Sequence, residues 1–258
     1  MRTALTLAGF DPSGGAGVLA DLKVFEALGL WGLALPTAMT AQNSVGVQAV
    51  APVDKGFLNQ QMQSLQVDFQ IAGVKLGMLL NEELVAWSAQ QLTGFSGPKV
   101  LDPVLVSSSG HLLLREEALG LFKARLMPLV DLITPNLAEA AKLTGLEIQG
   151  PREMVAAAHK LLAMGPRAVL VKGGHLNGAP LDLYLGPEGE EWLEGTRIEG
   201  KDPHGTGCLL SAALLSYRLR GLAWPEAARK AKAYAAQAIA GARAVGSGKE
   251  YWSAPRGH

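Results

Sequence analysis

Along the chain, short apolar runs alternate with stretches whose apolar residues recur every three or four positions. The run ALTLAG (4–9) is almost continuously apolar, the pattern of a strand covered on both faces. From Ala16 to Leu28 the residues Val18, Leu19, Leu22, Phe25 and Leu28 share one helical face, and Gly29 suits a C-terminal cap. The same reading predicts strands over 32–39, 71–77, 99–104, 131–136 and 168–174, and helices over 58–65, 82–92, 115–126 and 152–164. Residues 182–198 alternate and predict an antiparallel pair. Two long helices close the pattern, over about 207–220 and 225–242, and the tail after Gly246 reads as irregular and only partly ordered.

Strand–helix alternation at this spacing predicts an α/β protein with a mostly parallel sheet, helices on both faces and an antiparallel edge from the late hairpin. Neither a composition break nor a repeat divides residues 1–258, so a single domain is expected. In such sheets ligands bind beyond the carboxyl ends of the strands, which directs attention to the loops there.

Composition narrows the classes. The formal charge is zero, with 23 basic and 23 acidic residues scattered along the chain, so no nucleic-acid or membrane partner is expected. No apolar run is long enough to span a bilayer, and the N-terminal run is too short for a signal peptide. Cys208 is the only cysteine, which rules out an intrachain disulfide and a multi-cysteine metal site. A cytoplasmic protein is expected. The patterns GxxxxGK[ST], GxSxG and HExxH are absent, and after Gly205 and Gly207 the third glycine of a dinucleotide fingerprint is Leu210.

The sequence HGTGC (204–208) feeds a helix. Gly205 and Gly207 let backbone N–H groups approach an oxyanion at the positive end of the helix dipole, and Thr206 adds a hydroxyl. The dipole predicts a lowered pKa for Cys208. A second glycine loop, GFDPSGGAG (9–17), opens the first helix, with Asp21 one turn further in. Gln42 and Asn43 follow a strand, and a carboxamide can read a heteroaromatic ring edge. Met78 follows another strand. Asp102, Glu139 (in the spacing Asn136-x-x-Glu139) and Lys172 fall at the same predicted sheet edge, where two carboxylates could hold Mg²⁺ and the lysine could neutralise phosphate. Each of these residues alone has an ordinary structural reading; their convergence on one edge carries the functional one. His111, His159 and His258 have no ligand spacing and read as surface residues.

In order and spacing, DPSGGAG, AQNSVGVQ, KLGML, LDPV with SSSG, TPNLAEA, VKGGH and HGTGC…SAAL resemble the hydroxymethylpyrimidine and phosphomethylpyrimidine kinases of the ribokinase-like superfamily, over roughly residues 4–245. The resemblance implies a three-layer α/β/α fold, a homodimer, and ATP with Mg²⁺ phosphorylating 4-amino-5-hydroxymethyl-2-methylpyrimidine and then its monophosphate. It assigns Gln42, Asp21, Gly9, Ala16, Met78 and Val106 to the pyrimidine, and Gly205, Thr206, Gly207 and Cys208 to an anion hole. Asn136 and Glu139 fall to Mg²⁺ and phosphate, and Asp102 and Lys172 near the metal and phosphates. Cys208 stands where many superfamily members have an aspartate base. Pro203, Leu209 and the tail GSGKEYWSAPRGH depart from the family pattern. Competing readings are a pyridoxal kinase of the same superfamily, a non-catalytic pyrimidine-binding regulator, and a cysteine hydrolase using His204.

Overall fold

A computed structural model describes residues 1–107, 109–174 and 180–255; His175, Ser108 and His258, named by the sequence reading, lie outside them. Nine strands form one sheet: β1 (Thr3–Phe10), β2 (Trp31–Gln42), β3 (Val47–Pro52), β4 (Ile71–Leu76), β5 (Lys99–Leu101), β6 (Leu132–Ile133), β7 (Ala168–Val171), β8 (Leu181–Gly186) and β9 (Gly189–Glu194). The helices are α1 (Gly17–Ala27), α2 (Lys55–Asp68), α3 (Glu82–Leu92), α4 (Ala118–Leu121), α5 (Leu137–Thr144), α6 (Pro151–Leu162), α7 (Thr206–Leu219) and α8 (Trp224–Ala240).

The strand order is β3-β2-β1-β4-β5-β6-β7-β8-β9. Pairing is parallel from β2 through β7 and antiparallel at both margins. The late hairpin supplies one antiparallel edge, as its alternation predicts. The other edge, β3, falls in a segment for which the sequence pattern predicts no element. Its residues are mostly exposed, so it carries no apolar alternation to announce it. Alanine-rich α7 and α8 pack with α1 on one face, around Phe25, Leu209, Leu214 and Ala231. The helices from α2 to α6 cover the other face around Leu58, Trp87, Phe122 and Leu161. Three layers result, α/β/α.

The helix expected over 115–126 is α-helical only at Ala118–Leu121; a π-helical turn (Phe122–Leu126) and a 3-10 turn (Met127–Leu129) follow, ahead of the extended Val130. Pro128 cannot continue α-helical bonding. Along the sheet, β1 connects to β2 on one side and pairs with β4 on the other. The crevice between the carboxyl ends of β1 and β4 is therefore a topological switch point, where ligands bind in such sheets.

Candidate active site

At this edge lies a cavity of about 650 Å³. Its lining includes Gly9, Ala16, Gln42, Met78, Asp102, Val106, Asn136, Glu139, Lys172 and the whole of Gly205–Cys208. A second cavity of about 640 Å³ lies beside it, between residues 195–202 and the Ala235–Ile239 face of α8. The two share Asn136, Lys172, Asp202, Thr206 and Gly207 as a common wall.

The floor of that wall is the start of α7. Gly205 caps the helix with φ +79°, and no side chain caps it. The first intrahelical bond runs from Leu209 N–H to the Gly205 carbonyl at 3.0 Å, so the N–H groups of Thr206, Gly207 and Cys208 lack intrahelical acceptors. A side chain at Gly205 would meet the Gly15 carbonyl oxygen at 1.9 Å, so the two glycine loops pack backbone to backbone. Gly207 faces Asp102 Oδ2 and Lys172 Nζ; a Cβ there would stand 3.1 and 3.4 Å from them.

Asp11 organises the first glycine loop. It accepts from the N–H groups of Ser13, Gly15 and Ala16 and from the Ser13 hydroxyl. Its Oδ2 lies 3.0 Å from His204 Nε2, joining the two loops. Burial works against the Asp11 charge, but His204 and Ser13 outweigh it and hold the carboxyl below its ordinary value. Gln42 Nε2 stands 2.6 Å from the same His204 nitrogen. The motif reading passed over Asp11 in favour of its neighbours. The signal was there, because an Asx side chain heading a Gly-Gly turn is a ready acceptor for the turn's N–H groups.

Opposite, Asn136 and Glu139 form a reciprocal capping box on α5. Glu139 N–H donates to Asn136 Oδ1 at 2.9 Å, and Asn136 N–H donates to Glu139 Oε2 at 2.8 Å. The Lys172 ammonium donates to Asp102 Oδ1 at 2.9 Å, and the Thr134 hydroxyl donates to the same oxygen. Burial disfavours the Lys172 charge, yet Asp102 and Glu139 overcome it and raise its pKa. Glu139 is pushed up to about 7 by burial and by Asp102, against the pull of Lys172. Two buried carboxylates around one ammonium form a donor set suited to a divalent cation. Among the described residues no cluster of three or more His, Cys, Asp or Glu forms a cage.

One expectation needs correcting. The Cys208 thiol is pushed up to about 11, not down: burial leads and prevails over the pull of Lys75, with the Asp21 and Asp102 carboxylates adding to the rise and the Gly17 N–H opposing it. At neutral pH it is a thiol, and the dipole does not make it a thiolate. Asp21, assigned to the ring, is wholly buried and does not line the cavity. Both its oxygens meet Lys75 Nζ, at 3.0 and 2.9 Å, and the Thr6 hydroxyl donates to it at 2.6 Å. Burial alone would drive Lys75 neutral; Asp21 reverses that and holds its charge.

The tail is irregular but held in place. Trp252 is buried and its indole N–H donates to the Gly15 carbonyl at 3.2 Å. Tyr251 exchanges both backbone hydrogen bonds with Arg243 and meets the His204 ring edge-on. Lys249 lines the first cavity. No pattern rule foresaw the anchoring of Trp252, since its contact with Gly15 joins residues 237 positions apart in sequence.

The Phosphomethylpyrimidine kinase family pattern matches residues 11–253. The hydroxymethylpyrimidine/phosphomethylpyrimidine kinase of Salmonella typhimurium is 44% identical over 249 residues, 95% of this chain and 94% of that protein. A crystal structure of phosphomethylpyrimidine kinase from Clostridium difficile superposes with a TM-score of 0.82 at 37% identity, covering 93% of this chain and all of that one. Pyridoxal kinase of Bacillus subtilis, in an ADP complex, gives a TM-score of 0.91 at 31% identity, covering 99% of this chain and 98% of its own. Among the described residues, no helix is long and apolar enough to cross a membrane. The match along nearly the whole chain, with the glycine loops and the Asn136–Glu139 box falling inside it, establishes that this protein is a phosphotransferase belonging to the phosphomethylpyrimidine kinase family.

Proposed function

We propose that the protein transfers the γ-phosphoryl group of ATP to 4-amino-5-hydroxymethyl-2-methylpyrimidine and then to the resulting monophosphate, in thiamine biosynthesis. The observation that carries this reading is the shared wall. Two cavities of similar size meet at Asn136, Lys172, Thr206 and Gly207, so a group crossing between their occupants passes over the open N–H groups of α7. The ring occupies the cavity of Gly9, Ala16, Gln42, Met78 and Val106, and the nucleotide lies along residues 195–201 and α8.

Within that arrangement the chain supplies position and charge. Phosphoryl transfer needs little covalent help, because its loose transition state spreads charge over the equatorial oxygens. The N–H groups of Thr206, Gly207 and Cys208 point where that charge develops. Lys172 neutralises phosphate oxygens from the opposite side. Glu139 and Asp102 would hold Mg²⁺, which would supply positive charge to offset that developing on the transferring phosphates. Gln42, set by His204, reads the ring edge through donor and acceptor together. The Cys208 thiol shapes the hole; its protonated state at neutral pH argues against its serving as the base that takes the alcohol proton.

A coupled assay of ADP release tests the reading, first with the hydroxymethylpyrimidine and then with its monophosphate. ATP consumption that depends on either compound supports it. A pyridoxal-dependent signal larger than both would transfer the assignment to the pyridoxal kinases, whose Bacillus subtilis member shares this fold.

A further inference from the structure

The second step of the proposed reaction demands something that the first does not. A neutral alcohol enters in one turnover and a phosphate ester in the next. In the second step an oxygen of the ester's phosphate forms a bond to the γ-phosphorus of ATP while the bond to the ADP oxygen breaks. The ester loses no group, and its phosphate must therefore rest between the ring and the helix start. Three lysines line the substrate cavity. Lys172 is held by buried Asp102, and Lys142 sits on α5, paired with Glu116. The third is Lys249.

Lys249 belongs to a strap held at several points. Its N–H donates to the Ser44 carbonyl at 2.9 Å, and the Gly248 N–H donates to the Ser44 hydroxyl at 3.1 Å. A Cβ at Gly248 would strike that same carbonyl oxygen at 2.2 Å, so the strap lies flat on the loop. Beyond it, the His204 N–H donates to the Glu250 carbonyl at 2.9 Å, and Lys201 pairs with the Glu250 carboxylate at 2.6 Å. The strap therefore joins the loop after Gln42, at the ring end, to the 201–205 loop, at the phosphate end. The Lys249 ammonium stands 2.6 Å from Asp202, which lines both cavities. With the Asp202 side chain 73% exposed, that pair is screened by water and easily exchanged.

We propose that Lys249 is a specificity-determining residue that recognises the phosphate of the phosphorylated substrate, leaving Asp202 for it in the second step. This rests on the pyrimidine-kinase reading above. The test measures kcat/KM for the alcohol and for its monophosphate, under saturating ATP at low ionic strength, in the wild type, Lys249→Met, Lys249→Arg and Lys142→Met. The ratio of the two values should fall at least tenfold against the monophosphate in Lys249→Met, mainly through KM, and recover most of that loss in Lys249→Arg. An equal loss on both substrates, no loss on either, or a selective loss confined to Lys142→Met would overturn it. Wild-type turnover of the alcohol but not of the monophosphate would overturn it too while leaving the first phosphorylation of the kinase reading intact. Turnover of neither would end both.

Discussion

Cys208 is the residue whose chemistry differs most from what its position in the sequence suggests. Helix-dipole reasoning predicts a thiolate, but the thiol is buried, with two carboxylates adding to the effect, and is pushed up to about 11. Replacing Cys208 with Ala should lower kcat by no more than about tenfold, below the roughly hundredfold or more that loss of a general base costs, and leave the shape of the pH profile between 6.5 and 9 unchanged. Steady-state kinetics across that range would check this; a lost ionisation would restore the base. Glu139 behaves in the opposite way to a typical paired carboxylate. Its folded pKa of about 7 lies above the ordinary 4.5, so its contribution to stability is complete below about pH 4.5 and is lost as pH rises through 7. Glutamine at N3 keeps the capping box without the charge. Without metal or nucleotide, the stability of Glu139→Gln relative to wild type should therefore climb from pH 5 to pH 8, by an amount on the order of 3 kcal/mol, and its melting temperature with it. A difference that is flat with pH, measured by thermal melts, would contradict the assignment.

At the scale of elements, the crossing of the two glycine loops controls the geometry. Gly205 is left-handed and in contact with the Gly15 carbonyl, so Gly205→Ala strains the backbone and separates the loops. The expected outcome is a kcat loss on the order of a hundredfold, the loss seen when an oxyanion donor is removed, with KM for ATP rising as well. Circular dichroism would confirm that the fold persists. Much of this level was legible in the sequence. The buried parallel strands announced themselves through apolar runs, and Gln42, Met78, Asp102, Lys172 and Gly205–Cys208 line one cavity because strand ends in such a sheet share one edge. What stayed hidden has physical causes. β3 is exposed and so lacks periodicity; the α4 region winds into π and 3-10 turns where Pro128 interrupts it. Asp21 is assigned to the pyrimidine by resemblance alone, and its buried partner could not be read from the sequence. Only the fold reveals that Lys75, 54 positions away, lies under it.

For the molecule as a whole, the chain's last described stretch closes onto its first loop. Trp252, buried and bonded to Gly15, ties the tail to the loop that Asp11 builds. Trp252→Ala should cost about 3 kcal/mol, as large-to-small changes in packed sites do. It should also raise KM for the pyrimidine, since the strap and His204 lose their common support. Calorimetry with parallel kinetics would check both, and a stability loss with unaltered KM would separate the tail from the site. The partition between the two cavities also has a consequence for ligand design. Because only a handful of side chains and helix amides divide the two chambers, one compound could occupy both if a polyphosphate chain joined an adenosine to the heterocycle. Tethering makes capture of the second half intramolecular, so such a compound should outbind either half alone by far more than their difference in size would suggest.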